Sequence, residues 1–342
     1  MALLRRTSNG LVTYHFQRLT AEGLVHAIFT RLGGASRDPF ATLNVGSSVG
    51  DDQAAVVQNL ARIYASLGLT EERVASAHQV HSNRVVVVTT QDGGQVVPAA
   101  DALVTDTPGL ALLLRFADCQ PIILYDPVRH ALGLVHAGWR GLAQGIARRA
   151  VEMMQEAYGT NPPDLLTGLG PAIGPCCYTV GDDVASALGY ALPDWRKVMT
   201  PDPSGTGWRL DLPAANAQQL AAAGVRGRRM EQARLCTACH NDEFFSHRAD
   251  NGQTGRFAVV AYLPAGDQTS SRPAAAQARQ ETRDEEPARA DTLQAPGLPG
   301  FDELFGKTAS LDPEGRESPG PEGREGPGSE GRESPGPEGR HD

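Results

Sequence analysis

The chain has 342 residues and a formal net charge of −9, enough length for one large or two ordinary domains. Residues 266–342 carry 17 Asp and Glu against 9 Lys and Arg, which leaves 23 acidic against 22 basic residues before them. That near-neutral body excludes an electrostatic case for nucleic acid, and no apolar run reaches the length of a membrane span.

The opening MALLRRTSNGLVTYHF has only a broken apolar stretch, so no secretory segment is expected. Residues 25–50 begin as a strand and pass into a glycine-rich polar loop of a kind that often carries function. The apolar positions Ala55, Val56, Leu60, Ile63 and Tyr64 repeat at helical spacing, with Asp51 or Asp52 as the cap. RVVVVTT reads as a strand.

PIILY and ALGLV, joined by DPVRH, read as a hairpin. Pairing Tyr125 with Ala131 sets position 120 opposite His136, and a one-residue slip sets Cys119 there; either register brings thiol beside imidazole. His81 precedes the RVVVVTT strand and is expected to enter the same site. Residues 142–158 form an amphipathic helix after a turn at Gly138–Gly141, with Met153 and Met154 as core filler. A glycine- and proline-rich loop follows, then a helix from near Asp182 and another over 212–223 ended by Gly224. Helix, strand and hairpin signals are interleaved without doubly wound alternation, so an α+β architecture with mixed sheets is expected.

Two imidazoles and a thiol form a set that suits zinc, and three protein ligands leave a fourth position open for water or substrate. Taken singly, each residue reads as an ordinary core cysteine or hydrogen-bonded histidine. Copper fits less well. The nine histidines include no His-x-His pair, and no Met lies within ten residues of Cys119 or His136 to serve as an axial ligand. CTACH spells the c-type haem pattern, but haem attachment belongs outside a reducing compartment, and a second zinc site would need more ligands than Cys236 and Cys239. Five cysteines do not make a disulfide framework in a chain this size, and a cytoplasmic location is expected.

Taken together, FTRLGGASRDPFATLNVG, HQVHSNRVV, DALVTD, ADCQPI, VHAGWRG, GPAIGPCCYTVGDDV, LDLPAANAQQL and CTACHNDEFFSHRADNGQTGR resemble the laccase-domain purine nucleoside phosphorylases, long called multicopper polyphenol oxidases. The resemblance runs from about Val25 to Leu263. It implies a layered αββα fold and one zinc held by His81, Cys119 and His136, with His78 a decoy. It also implies phosphorolysis of adenosine, inosine, guanosine and methylthioadenosine to base and pentose 1-phosphate, with adenosine deamination as a second activity.

The expected partners are thus purine nucleosides and phosphate, with no nucleic acid and no membrane. Arg31, Arg140 and Arg248 are candidates to balance phosphate charge, and Asn44 to hold a sugar hydroxyl or fix its loop. Tyr178, Phe244, Phe245 and Trp139 are candidates to stack on a base or to pack the core. Asp118 is the candidate proton shuttle, with Cys119 and His136 at the reacting centre. The rival reading dispenses with metal: Cys119 as nucleophile and His136 as base of an amidase that edits a peptidoglycan precursor.

Two regions are expected: a laccase-like domain over 1–265 and a tail over 266–342. The tail ends in PEGRESPG-type repeats with almost nothing to bury and is expected to be disordered, with Phe301, Leu304 and Phe305 as one apolar island.

Overall fold

The computed structural model describes residues 3–265, and the tail expectations lie outside the described residues. Two mixed sheets form the centre. The seven-stranded sheet runs, edge to edge, Leu3–Ser8, Leu11–Phe16, Val25–Phe29, Phe257–Tyr262, Ala111–Phe116, Val74–Ala77 and Val96–Val97. The six-stranded sheet runs Met230–Gln232, Leu166–Leu169, Gln120–Asp126, Ala131–Ala137, Ala102–Thr105 and Val85–Val87.

Strand alternation assigns each side chain to a layer. Leu112, Leu114, Val259 and Ala261 of one sheet pack with Ile123, Tyr125, Leu132 and Leu134 of the other. Their neighbours Leu113, Ala258 and Val260 face outward onto Ile63 of the Gln53–Leu67 helix. On the far side, Ile122, Leu124 and Val135 meet Ile146, Ala150 and Met154 of the Ile146–Tyr158 helix and Leu220 of the Leu212–Ala222 helix. The order of layers is therefore αββα, as expected. A small third sheet, Thr179–Val180, Trp208–Leu210 and Met199–Pro201, packs with the Asp182–Ala191 helix around Leu188 and Leu210.

Local expectations hold with two corrections. The Gln53–Leu67 helix is capped by Asp52, which accepts from the Ala54 N–H at 2.9 Å, and it ends at a left-handed Gly68. The helix expected over 142–158 is instead two pieces, Trp139–Ala143 and Ile146–Tyr158, because Gly145 takes a left-handed φ of 83° between them. The hairpin register also differs from both expected pairings: Asp126 pairs with Ala131, and His136 with Pro121. Asp126 stays within its strand because its carboxylate accepts the N–H groups of Val128 and Arg129 at 2.9 and 3.0 Å, closing the turn immediately beyond it. No helix among the described residues is long and apolar enough to cross a membrane.

Candidate metal centre

The observed register puts Pro121 and His136 on one face of the sheet, and continuing the alternation past the strand end puts Cys119 on that face too. This is the inter-sheet face, where the His136 ring lies 5.5 Å from that of Phe116. His81 arrives from the loop before Val85–Val87, its ring 5.0 Å from His136. The ligand atoms of His81, Cys119 and His136 all lie within 4.8 Å of one another. Metal–ligand bonds of about 2.0–2.3 Å to a shared ion fit such a cluster. His136 is buried at the bottom, Cys119 is half-buried and His81 is exposed at the mouth, so the cluster opens to solvent on one side. His78 is exposed and stands outside it.

One buried carboxylate organises the cluster. Asp101 Oδ1 accepts from His136 Nδ1 at 2.8 Å and from the His81 backbone N–H at 3.0 Å. Its Oδ2 accepts from the Ser82 N–H at 2.6 Å and the Ser82 hydroxyl at 2.7 Å. The bond to Nδ1 leaves Nε2 as the free nitrogen of His136, the arrangement that orients metal-binding histidines. The His81 N–H bond to the same carboxylate supports a left-handed φ of 60° at His81, a conformation uncommon for residues other than glycine. Burial pushes the Asp101 carboxyl up, but His136 and Ser82 outweigh it and hold the group down at about 2. Burial likewise opposes ionisation of Cys119, and His136 followed by His81 reverses the balance, so the thiolate is favoured.

Space is as tightly specified as charge. A Cβ on Gly138 would lie 2.6 Å from the Cys119 sulfur and 3.4 Å from His81 Cδ2, so a hydrogen at this position keeps the cradle open. Met154 sits in the helix–sheet layer, away from the inter-sheet face that carries His136, and so gives no support to a copper site with an axial methionine.

Asp118, adjacent to Cys119, is buried and has a left-handed φ of 82°. Its Oδ1 accepts from the hydroxyls of Thr237 and Ser246 at 2.6 and 2.7 Å, and its Oδ2 from the Arg248 N–H at 2.7 Å. Three donors from a distant segment thereby fix the residue next to the thiol. Arg248 also places its guanidinium 5.2 Å from the centre of the half-buried Tyr178 ring and donates to the Thr179 carbonyl. Burial, and then the Cys119 charge, raise the Tyr178 hydroxyl well above its ordinary value, while Arg248 and Arg140 oppose them. The Tyr178 hydroxyl thus lies within electrostatic reach of Cys119, Arg248 and Arg140. Arg140 is exposed, its guanidinium 4.6 Å from the Trp139 ring.

Arg31 and Asn44 tie their loop together and join it to the 241–256 segment. Arg31 donates to the carbonyls of Ala41 and Asn241 and lies over Phe245. Asn44 is fully buried, accepting from the N–H groups of Gly46 and Arg256 and donating to Asp51 and the Gly46 carbonyl. Phe244 and Phe245 are fully buried and belong to the core. Reading along the sequence overlooked Asp101, Gly138 and Thr237; the one signal for Asp101 was its place at the head of the DALVTD segment.

Residues 25–264 match the family described as multi-copper polyphenol oxidoreductase laccase. Among relatives, the purine nucleoside phosphorylase YlmD of Geobacillus stearothermophilus is 43% identical over 248 residues, covering 70% of this chain and 90% of its own. The purine nucleoside phosphorylase ORF3 of Streptomyces griseus is 38% identical over 244 residues, covering 70% and 95%. The crystal structure of Geobacillus stearothermophilus YlmD aligns with a TM-score of 0.73 at 38% identity, covering 77% of this chain and all of that one. Bacillus licheniformis YfiH aligns with a TM-score of 0.72 at 35% identity, covering 76% and 98%. With a family match across well over half its length and relatives covered almost end to end, the chain belongs to the multicopper polyphenol oxidoreductase laccase family.

Proposed function

We propose that residues 1–265 form a zinc-dependent purine nucleoside phosphorylase domain, with His81, Cys119 and His136 as the metal ligands. The observation that carries this reading is the open two-imidazole, one-thiolate cluster with Asp101 behind it, in a chain whose relatives are named purine nucleoside phosphorylases. The donor set suits zinc, and the exposed side leaves a position for substrate. When bound, the ion supplies Lewis acidity to an oxygen of phosphate or substrate.

The chain's own residues account for binding and orientation. Arg140 and Arg248 are exposed cations within electrostatic reach of Tyr178, suited to hold a phosphate dianion as it attacks the anomeric carbon and the purine departs with the bonding electrons. Tyr178 offers a half-buried aromatic face within electrostatic reach of Cys119 for the base or sugar. Adenosine, inosine, guanosine and methylthioadenosine are the substrates proposed, with adenosine deamination as a second activity. Asp118 is close enough in sequence to serve that deamination as a proton shuttle, but its three hydrogen bonds favour a positioning role.

The Cys119–His136–Asp101 line also resembles a thiol hydrolase. His81 as a third donor and the names of the relatives favour the metal reading. The test is metal content of the purified protein together with phosphate-dependent release of base from inosine and adenosine. Bound zinc, chelator-sensitive turnover and loss of both in Cys119→Ala are expected. Full turnover in Cys119→Ala, or activity destroyed by thiol alkylation yet indifferent to chelation, refutes the proposal.

A further inference from the structure

The other four cysteines converge at a second place. Cys236 and Cys239 were insufficient for a metal by themselves, but the fold brings Cys176 and Cys177 to them. Ala172 and Cys236 form a parallel bridge that aligns the two segments. The N–H groups of Cys177 and Tyr178 both bond the Gly174 carbonyl at 3.0 Å, turning the chain so that adjacent cysteines reach one partner. All four sulfurs lie within 4.8 Å of one another, and those of Cys176 and Cys177 are each 3.4 Å from that of Cys239.

These spacings decide between bonding types. A disulfide holds its sulfurs about 2.05 Å apart, and all four residues are free thiols. Thiolates arranged tetrahedrally at about 2.3 Å from one ion stand roughly 3.8 Å from each other, near the observed separations. Hydrophobic packing does not explain the cluster, because Cys176 and Cys239 are exposed and gain little by burial. The Gly174 N–H donates to the Cys236 sulfur at 3.3 Å, an outer bond of the kind that supports a metal-bound thiolate.

We propose that Cys176, Cys177, Cys236 and Cys239 hold a second, structural zinc ion. Four protein sulfurs complete a tetrahedron and leave no open position, in contrast to the three-ligand cluster. The two cysteine pairs sit on the segments that frame Cys119. Tyr178 follows Cys177, while Thr237 follows Cys236 and donates to Asp118, whose backbone carbonyl accepts from the Ile173 N–H at 2.9 Å. The ion therefore clamps together two supports of the Asp118–Cys119 corner. These cysteines are positioning residues.

The experiment uses the full chain. Metal content is measured for the wild type, Cys119→Ala, and the double variant Cys176→Ser with Cys239→Ser, whose substituted positions are both exposed. About one zinc equivalent per chain is expected to vanish in the double variant and to persist in Cys119→Ala, whichever way the three-ligand reading turns out. Cobalt(II) loaded into Cys119→Ala should give strong thiolate-to-cobalt charge transfer and tetrahedral ligand-field bands. Unchanged metal content in the double variant overturns the proposal, as does an intact mass showing a disulfide among the four. If the double variant does not fold, the cobalt spectrum of Cys119→Ala decides, and absent charge transfer overturns the proposal.

Discussion

Asp101 shows why candidate metal ligands are easier to find in a sequence than the residues that would aim them. His81, Cys119 and His136 stand out because imidazole and thiol side chains bind metals wherever they meet, whereas a carboxylate becomes an orienting group only when a fold buries it behind a ligand. Its Oδ2 faces only donors, so Asp101→Asn turns an amide N–H₂ toward the Ser82 groups or toward the His136 nitrogen. We expect zinc affinity to fall about 10–100-fold, read by competition against a chromophoric chelator. An unchanged affinity would remove Asp101 from the account of the centre. Gly138→Ala separates space from charge. Its φ of −85° and ψ of 177° suit alanine, so the fold should survive while the added methyl displaces the Cys119 sulfur. Loss of at least about tenfold in zinc affinity, with little change in the circular dichroism of the metal-free protein, is the expected result.

At the level of elements, periodicity and capping made the longer helices and the central hairpin legible, but the hairpin register depended on a side chain. The Asp126 turn bonds shift the pairing by one residue from the nearer expectation, and in a strand that exchanges faces. The observed pairing of His136 with Pro121 keeps Cys119, two residues from Pro121, on the same face as His136. A second buried histidine tests how polar groups are accommodated in these strands. His26 in Val25–Phe29 accepts the Phe16 N–H on Nε2 at 2.8 Å, with Nδ1 3.2 Å from the Leu24 carbonyl. It is held neutral, burial being the chief cause, at about 4 against an ordinary 6.5. Above pH about 6.5 both folded and unfolded forms are neutral here, and its stabilising contacts count in full. As pH falls toward 4, the unfolded chain takes up a proton that the folded chain refuses, so stability falls by on the order of 3 kcal/mol. His26→Gln keeps an acceptor for Phe16 without the titration. Its melting temperature should therefore decline less than that of the wild type over this interval; parallel declines would show that His26 is not the titrating group.

For the molecule as a whole, the site belongs to no single stretch of chain. His81, Cys119 and His136 come from loops and strand ends around the inter-sheet layer, while Thr237, Ser246 and Arg248 reach back to clasp Asp118. Such long-range contacts leave no spacing signal, which is why the clasp was not legible beforehand. The same wiring sets where the chain can be shortened. Phe257–Tyr262 lies between Val25–Phe29 and Ala111–Phe116, with Val259 and Ala261 toward the inter-sheet core and Ala258 and Val260 toward the Gln53–Leu67 helix. Just beyond it, the Leu263 carbonyl accepts from the Gly109 N–H at 2.8 Å, and the family match ends at residue 264. A chain ending after Ala265 retains every one of these contacts and should keep its melting temperature, metal content and nucleoside turnover. A chain ending after Gly255 loses an interior strand with both of its packed faces, and should be recovered only as unfolded or aggregated material. If the longer truncation product folds with its metal but loses turnover, the acidic tail takes part in the reaction and the catalytic unit does not end where the sheet does.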